Sequence, residues 1–218
     1  MVLVMFMALM NVIPVVATIF GAAYAVQPAY GIGFDKSVYL WIPVVGNIVA
    51  VLVIPFVGNL SDKIGRRPTM IAGCLGSGLL AFVYLYAISI QNVPMAFAAS
   101  IVMWGMVYQG YNAVFPSFYP ELFHTRYRVT AMAIAQNIGT MLTAMLPALF
   151  AMVAPPGSDN IPLVVGGLAF FITGVCALAA YIAPETHRLA MDDLGNPDAK
   201  PMDCLLYTSD AADDTPCV

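Results

Sequence analysis

The 218-residue chain is predicted to be an all-α integral membrane protein with six transmembrane helices, and three observations predict it. Hydrophobic residues make up 61% of the chain and charged residues only 9%, with a mean hydropathy of +0.86. A soluble domain covers itself with about 25% charged residues, so this composition fits a chain whose solvent is lipid. Six apolar runs, each of about 20 residues or more, are separated by short polar links. The Lys and Arg residues, finally, fall almost entirely in alternate links.

The first run extends from Val2 to about Ala29 and is interrupted by Pro14, so it is long enough to tilt or kink. No basic segment and no small-residue cleavage site accompany it, which makes it a span rather than a cleavable signal. The polar turn Gly31-Ile32-Gly33-Phe34-Asp35-Lys36 leads into the second run, Val38 to Val57. The stretch from Gly58 to Met70 follows, with Asp62, Lys63, Arg66 and Arg67 in one expected tight turn. The third run goes from Thr69 to about Ile90 and stops at Gln91-Asn92-Val93-Pro94. The fourth goes from Met95 to about Phe118, and a second polar link, Glu121 to Arg128, separates it from the fifth, Val129 to Val153. The link Ala154 to Asn160 precedes the sixth run, Ile161 to Ala183.

Links on one side hold Lys63, Arg66, Arg67, Arg126, Arg128 and Arg188, whereas links on the other hold Lys36 alone. This bias puts the Gly58–Met70 turn in the cytoplasm, together with both ends of the six-span chain. Small residues recur every four positions at Ala131, Ala135, Gly139 and Thr143, and again at Gly73, Ser77 and Ala81. That spacing lets neighbouring helices approach closely. Tyr39, Trp41 and Tyr119, near span ends, are expected in the aromatic belt. Cys74 and Cys176 lie inside spans as small hydrophobes, and no disulfide is expected.

The net charge of −4 depends on the tail, because without Asp210, Asp213 and Asp214 the chain has nine acidic residues against eight basic. No basic field suggests nucleic acid. Residues Cys204 to Asp214, CLLYTSDAADD, resemble the translation of a transposase sequencing adapter. Residues 204–218 are therefore expected to be an assembly scar, 185–203 a cytoplasmic tail and 1–184 the transmembrane bundle, of a native chain that extends beyond both ends. An integral-membrane enzyme would need paired acidic motifs or a His cluster, but His124 and His187 stand far apart and Asp192-Asp193 falls in the tail. No catalytic residue, metal or cofactor is expected.

The pattern Gly-x-Leu-Ser-Asp-Lys-x-Gly-Arg-Arg-Pro at Gly58–Pro68 resembles the cytoplasmic signature loop of the major facilitator superfamily, which joins the second and third helices of each six-helix half. Pro120-Glu121-Leu122-Phe123-His124-Thr125-Arg126 is similar to the loop after that family's tenth helix, and Pro184-Glu185-Thr186 to the motif that closes the twelfth. The resemblance implies helices seven to twelve of a twelve-helix carrier. The Tyr119–Arg128 loop and the Gln136-Asn137…Pro147 spacing look most like the metabolite:proton symporters, bacterial carriers of organic acids, betaines and similar solutes. The Gln-Gln pair and Gly-Ile-Asn element of sugar porters are missing from the first span. The implied function is a secondary active transporter of the bacterial inner (plasma) membrane, a proton-coupled symporter of a small metabolite working by alternating access. A sugar or other solute carrier of the same superfamily is the alternative. A channel or structural membrane subunit is a further one, although the chain has no filter or pore-lining repeat.

The residue types of the signature loop suit such a role. Gly58 and Gly65 are expected to allow a tight turn, and Asp62 can accept bonds from exposed helix amides or an Arg. Arg66 and Arg67 are fixed, forked cations suited to carboxylates and lipid phosphate, with Lys63 beside them. A plain positive-inside anchor would explain Lys63, Arg66 and Arg67 but not Asp62 or the glycines. By resemblance the loop clamps the cytoplasmic helix ends and is released as the carrier changes its facing, with Glu121, Arg126 and Arg128 in the second cytoplasmic loop.

No Asp, Glu, Lys, Arg or His lies within an apolar run, and a mid-membrane charge costs about 2.5–3.5 kcal/mol. If transport is proton-coupled, the titrating carboxylate is not in these runs, and the resemblance implies that it lies in a missing N-terminal half. In the fourth span Trp104, Tyr108, Tyr111 and Phe115 follow helical spacing beside Gly105, Gln109, Asn112 and Pro116. Family architecture lines the cavity with the first and fourth helices of each half. Tyr24 and Gln27 of the first span, and Trp104, Tyr108, Gln109 and Asn112 of the fourth, are accordingly candidates for the solute pathway. Interhelical hydrogen bonding is the other reading of these side chains, and the preferred one for Asn11, Gln136 and Asn137.

Overall fold

A computed structural model describes residues 1–158 and 160–186 of the chain. Arg188, most of the expected tail and the adapter-like segment lie outside the described residues, as does Asp159. Six helices cross the bundle: α1 (Val2–Val26), α2 (Lys36–Ile64), α3 (Arg66–Ser89), α4 (Val93–Glu121), α5 (Arg128–Val153) and α6 (Ile161–Ile182). Each is long and apolar enough to span a membrane.

Local chemistry sets most of the helix ends. Asp35 caps α2, accepting the amide of Ser37 at 2.7 Å and its hydroxyl at 2.6 Å. Those bonds hold the Asp35 carboxyl below its ordinary value, the hydroxyl contributing most. Asn92 caps α4 by accepting the Met95 amide at 3.0 Å, with Pro94 in the first turn, where its missing N–H costs nothing. Proline also explains the irregular course of α1. Pro14 removes a donor, and the following segment Val15–Phe20 is π-helical. The Ala17 carbonyl in that segment accepts the Tyr39 hydroxyl at 2.6 Å and that of Tyr84 at 3.3 Å.

The helices touch where small residues permit it. A Cβ added to Gly73 of α3 would lie 2.7–2.9 Å from the backbone of Gly110 and Tyr111 in α4, so this crossing is backbone on backbone. A Cβ on Gly139 of α5 would come within 2.5 Å of the Ala8 Cβ in α1. Ala135, Gly139 and Thr143 are buried along that face, as are Gly73, Ser77 and Ala81 on α3. In lipid, helix association depends on such close contact rather than on burial of apolar area. Cys74 and Cys176 are buried free thiols.

Three expectations are corrected. The tight turn expected within Gly58–Met70 is confined to one residue: α2 continues to Ile64, α3 starts at Arg66, and Gly65 (φ 117°) is the whole connection. Gly58 is helical, with open space where its Cβ would be, so it supplies no turn. Tyr39 and Tyr119 are not belt residues, because both are buried within the bundle and their hydroxyls bond inside it, to Tyr84 and Tyr111 respectively. Trp41, by contrast, is 60% exposed. Asn137 bonds the Ala133 carbonyl of its own helix rather than a neighbour.

Candidate functional site

At one end of the bundle, four elements meet around Arg66. Its Nη1 donates to Asp62 Oδ1, one turn back across Gly65, and to Ser61 Oγ at 2.9 Å. Its Nη2 reaches Glu121 Oε1, at the end of α4, at 3.4 Å. The side chains of Arg66 and Glu121 are 15% and 19% exposed, while that of Asp62 is 59% exposed. The Arg66–Glu121 pair is therefore the more shielded of the two, and the Asp62 pair is open to solvent screening.

The amides that begin α3 have no local cap, since Gly65 offers no side chain. Glu185, just after α6, fills that place. Its Oε1 accepts the Arg66 amide at 2.9 Å and its Oε2 the Arg67 amide at 3.0 Å. A carboxylate at a helix N-terminus is favoured by both the orphan N–H groups and the macrodipole. Gly65 allows the approach, because a Cβ there would stand 2.8 Å from Glu185 Oε2. Thr186 links the acidic pair, donating its hydroxyl to Glu121 Oε2 and its amide to Glu185 Oε1. Arg67 closes the group on α6, bonding the carbonyls of Ala180 and Tyr181 and lying 5.3 Å from the Tyr181 ring centroid.

The structure thus brings Asp62, Gly65, Arg66, Arg67 and Glu121 together. It leaves Lys63 and Arg126 exposed and Gly58 outside the turn. Arg128 bonds the Phe123 carbonyl and the Thr125 hydroxyl, which ties its own loop. The helix amides go to Glu185 and not to Asp62. The sequence holds a signal for this, because Ile64-Gly65-Arg66-Arg67-Pro68 has no Ser, Thr, Asp or Asn to cap a helix starting there.

Mid-bundle, the aromatic stripe of α4 is continuous. Ring centroids lie 5.5 Å apart for Trp104–Tyr108, 5.7 Å for Tyr108–Tyr111 and 5.4 Å for Tyr111–Phe115. Gln109 is buried, donating to the Trp104 carbonyl at 2.7 Å and accepting from Asn112 at 3.0 Å. That carbonyl belongs to the π-helical segment Ile101–Val107, where the backbone pairing is shifted. Trp104 Nε1 donates to Asn47 Oδ1 of α2 at 3.0 Å, a partner the sequence reading missed. Asn11 of α1 donates to Thr140 of α5 at 3.0 Å. Gln136 has a buried Oε1 with no partner. Gln27 falls just past α1 and is exposed, while Tyr24 is buried among Phe20, Tyr30 and the start of α6 rather than against the α4 stripe.

Apolar side chains are exposed on every side of the bundle, Ile48 and Phe56 of α2 and Met141 and Met145 of α5 among them, but exposed polar ones in mid-span are confined to one side. The exposed positions of α3 between the charged end and its last turn are Pro68, Ala72, Leu75, Leu79, Val83 and Tyr86, and those within α6 are likewise apolar. Helices α1, α2, α4 and α5 instead expose or half-expose Asn11, Thr18, Asn47, Asn112, Gln136, Asn137 and Thr140 in mid-span. An amide group in hydrocarbon without a hydrogen bond costs roughly 2–7 kcal/mol. The α3–α6 side can face lipid, and the other side calls for protein or water.

The family model of the Major Facilitator Superfamily matches residues 1–201. The chain is 32% identical over 155 residues to the cis,cis-muconate transport protein of Acinetobacter baylyi, which covers 71% of this chain and 34% of that protein. It is 30% identical over 126 residues to the proline/betaine transporter of Escherichia coli K12, covering 56% and 25% respectively. The chain thus spans about a third or less of the length of these curated relatives.

Proposed function

We propose, from the premise that this chain belongs to the Major Facilitator Superfamily, that it forms helices seven to twelve of a secondary transporter for a small metabolite, an organic acid or a betaine. The observation that carries the reading is the two-sided surface. A mid-span face on α1, α2, α4 and α5 that mixes uncharged polar side chains with apolar ones is what a second six-helix bundle and a solvated cavity between the two would cover. Trp104 and Asn112 are half-exposed on that face, where they can meet a solute, while Tyr108 and Gln109 stand behind them as buried support. Of the two α1 candidates, Gln27 keeps a place only at the pathway's mouth, while Tyr24 lies toward α3 and α6, away from it.

The charged end acts as the clamp in this reading, in the cytoplasm of a bacterial inner membrane as the Lys and Arg distribution suggests. Arg66 holds the ends of α2, α3 and α4 in one arrangement, and Glu185 adds the end of α6. Such a set of charge-assisted bonds is formed or broken as a unit when helix ends separate. Coupling to protons belongs to groups outside the described spans, whose interiors hold no ionisable carboxylate.

Uptake of labelled muconate and glycine betaine by the full-length carrier in proteoliposomes tests the proposal. Saturable uptake driven by an imposed proton gradient and accelerated by solute on the far side is expected. Flux without trans-acceleration would mean a channel and would sink the reading.

A further inference from the structure

Helices α3 and α6 lie in tight contact midway along their length. Gly78 sits against Thr173 with no room for a Cβ, and a Cβ on Gly166 would come within 2.7 Å of the Phe82 ring. Beyond that crossing, toward the end that holds the Asp35 cap, the two helices leave a cleft of about 740 Å³ between them. Its floor is Tyr24 and Tyr30, whose rings meet edge to face at 5.4 Å. Its mouth is flanked by Val83 (40% exposed), Tyr86 (53%) and Leu163 (66%). These three belong to the all-apolar outward sides of α3 and α6, so in a membrane the cleft opens sideways into hydrocarbon.

The cleft is also graded along the membrane normal. Phe82, Val83 and Leu163 line it within the spans, whereas Ser89, Ser158 and Asn160 line it at the helix ends, where the hydrocarbon gives way to headgroups. Ser158 Oγ is buried there without a hydrogen-bond partner among the described residues. Among the described lining residues there is no charged side chain.

We propose that this cleft is a binding site for a membrane phospholipid, one acyl chain lying between α3 and α6 and a glycerol-ester oxygen accepting the Ser158 hydroxyl. Left empty, walls of this kind would forgo their dispersion contacts on one side. Water is a poor filler along Phe82, Val83 and Leu163, since a buried water needs two to four polar partners and these side chains offer none. An unbranched, flexible methylene chain reaches such a space from the side and leaves its oxygens at the level of Ser158. The volume lies within the 300–1,000 Å³ typical of ligand pockets. The described lining offers an acyl chain apolar walls and an ester oxygen a hydroxyl, so recognition rests on chain and ester.

The test uses the full chain in nanodiscs of phosphatidylethanolamine and phosphatidylglycerol, doped with a phospholipid bearing a diazirine on its acyl chain. After illumination, mass spectrometry of peptides is expected to find labels concentrated at 83–89 and 158–163, several-fold above the equally exposed Leu79 and Phe171. Val83→Trp, which fills the mouth, is expected to remove the excess at 158–163 and leave Phe171 unchanged. Ser158→Ala removes one hydroxyl and no packing, so it serves if the tryptophan variant does not fold. Its labelling at 158–163 is expected to drop roughly two- to tenfold, the worth of one hydroxyl bond. Even labelling along both helices, or labelling that either variant leaves intact, would overturn the proposal. So would displacement of the label by muconate or betaine, which would assign the cleft to the transported solute instead.

Discussion

The carboxylate of Glu185 accepts the backbone N–H of Arg66 at 2.9 Å, across 119 positions of sequence, and so caps a helix that begins with no cap of its own. The bond fastens the residues that follow α6 to the first turn of α3, beside the guanidinium network of the same Arg66.

Glu185→Ala is expected to leave the Arg66 and Arg67 amides unpaired and to lower stability by about 0.5–2 kcal/mol, the usual cost of a lost helix cap. Glu185→Gln keeps an acceptor and is expected to lose less. Thermal unfolding of the purified protein in detergent, compared at equal detergent and pH, measures both. Equal melting temperatures for the alanine variant and the parent would mean that the cap contributes nothing.

Asp62 and Arg66 are expected to separate stability from transport. The Asp62 carboxylate is 59% exposed, so Asp62→Asn should change stability by less than about 1 kcal/mol and leave insertion intact. If the clamp gates transport, uptake by the full-length carrier nevertheless falls. Arg66→Lys removes the fork that reaches Asp62, Ser61 and Glu121 together, and is expected to impair uptake at least as much. Unchanged uptake in both variants would reduce the cluster to a structural anchor.

The two glycines of the signature stretch are expected to behave oppositely. Gly58→Ala, in a helix with open space at the Cβ, should be neutral or stabilising by up to about 1 kcal/mol. Gly65→Ala meets both a positive φ and Glu185 Oε2, and should destabilise by about 1–3 kcal/mol. Melting curves of the two variants decide the point.

Gly73→Ala is expected to cost about 1–3 kcal/mol, because its Cβ would meet backbone atoms of α4 that have nowhere to go. Gly167→Ala and Gly174→Ala on α6 face open space and serve as controls with little or no loss. Comparable losses at all three sites would show that the α3–α4 contact is not what Gly73→Ala disturbs.

The Asp35 cap carries a pH signature. Its pKa is depressed in the folded chain by Ser37, so its contribution is complete above the ordinary aspartate value of 3.8 and fades as pH falls through the lowered value. Asp35→Asn, which caps without titrating, is expected to flatten that acid limb of the stability profile.

Sequence alone determined the six spans, the link in which the charges gather and the close-packed small-residue faces at Gly73 and Gly139. These follow from solvent and period: a span must be apolar over a fixed length, and an i, i+4 repeat marks one side of a helix wherever the helix lies. Tertiary structure decided what each polar group in those spans bonds to. Tyr39 and Tyr119 read as belt residues by position, yet they are buried because a π-helical Ala17 carbonyl and the Tyr111 hydroxyl lie within reach. By residue type Asp62 suits either exposed helix amides or an Arg; in space it pairs with Arg66, and Glu185 takes the α3 amides. Hydrogen bonds are satisfied by distance and direction, and between helices neither is written in the spacing of residues along one of them.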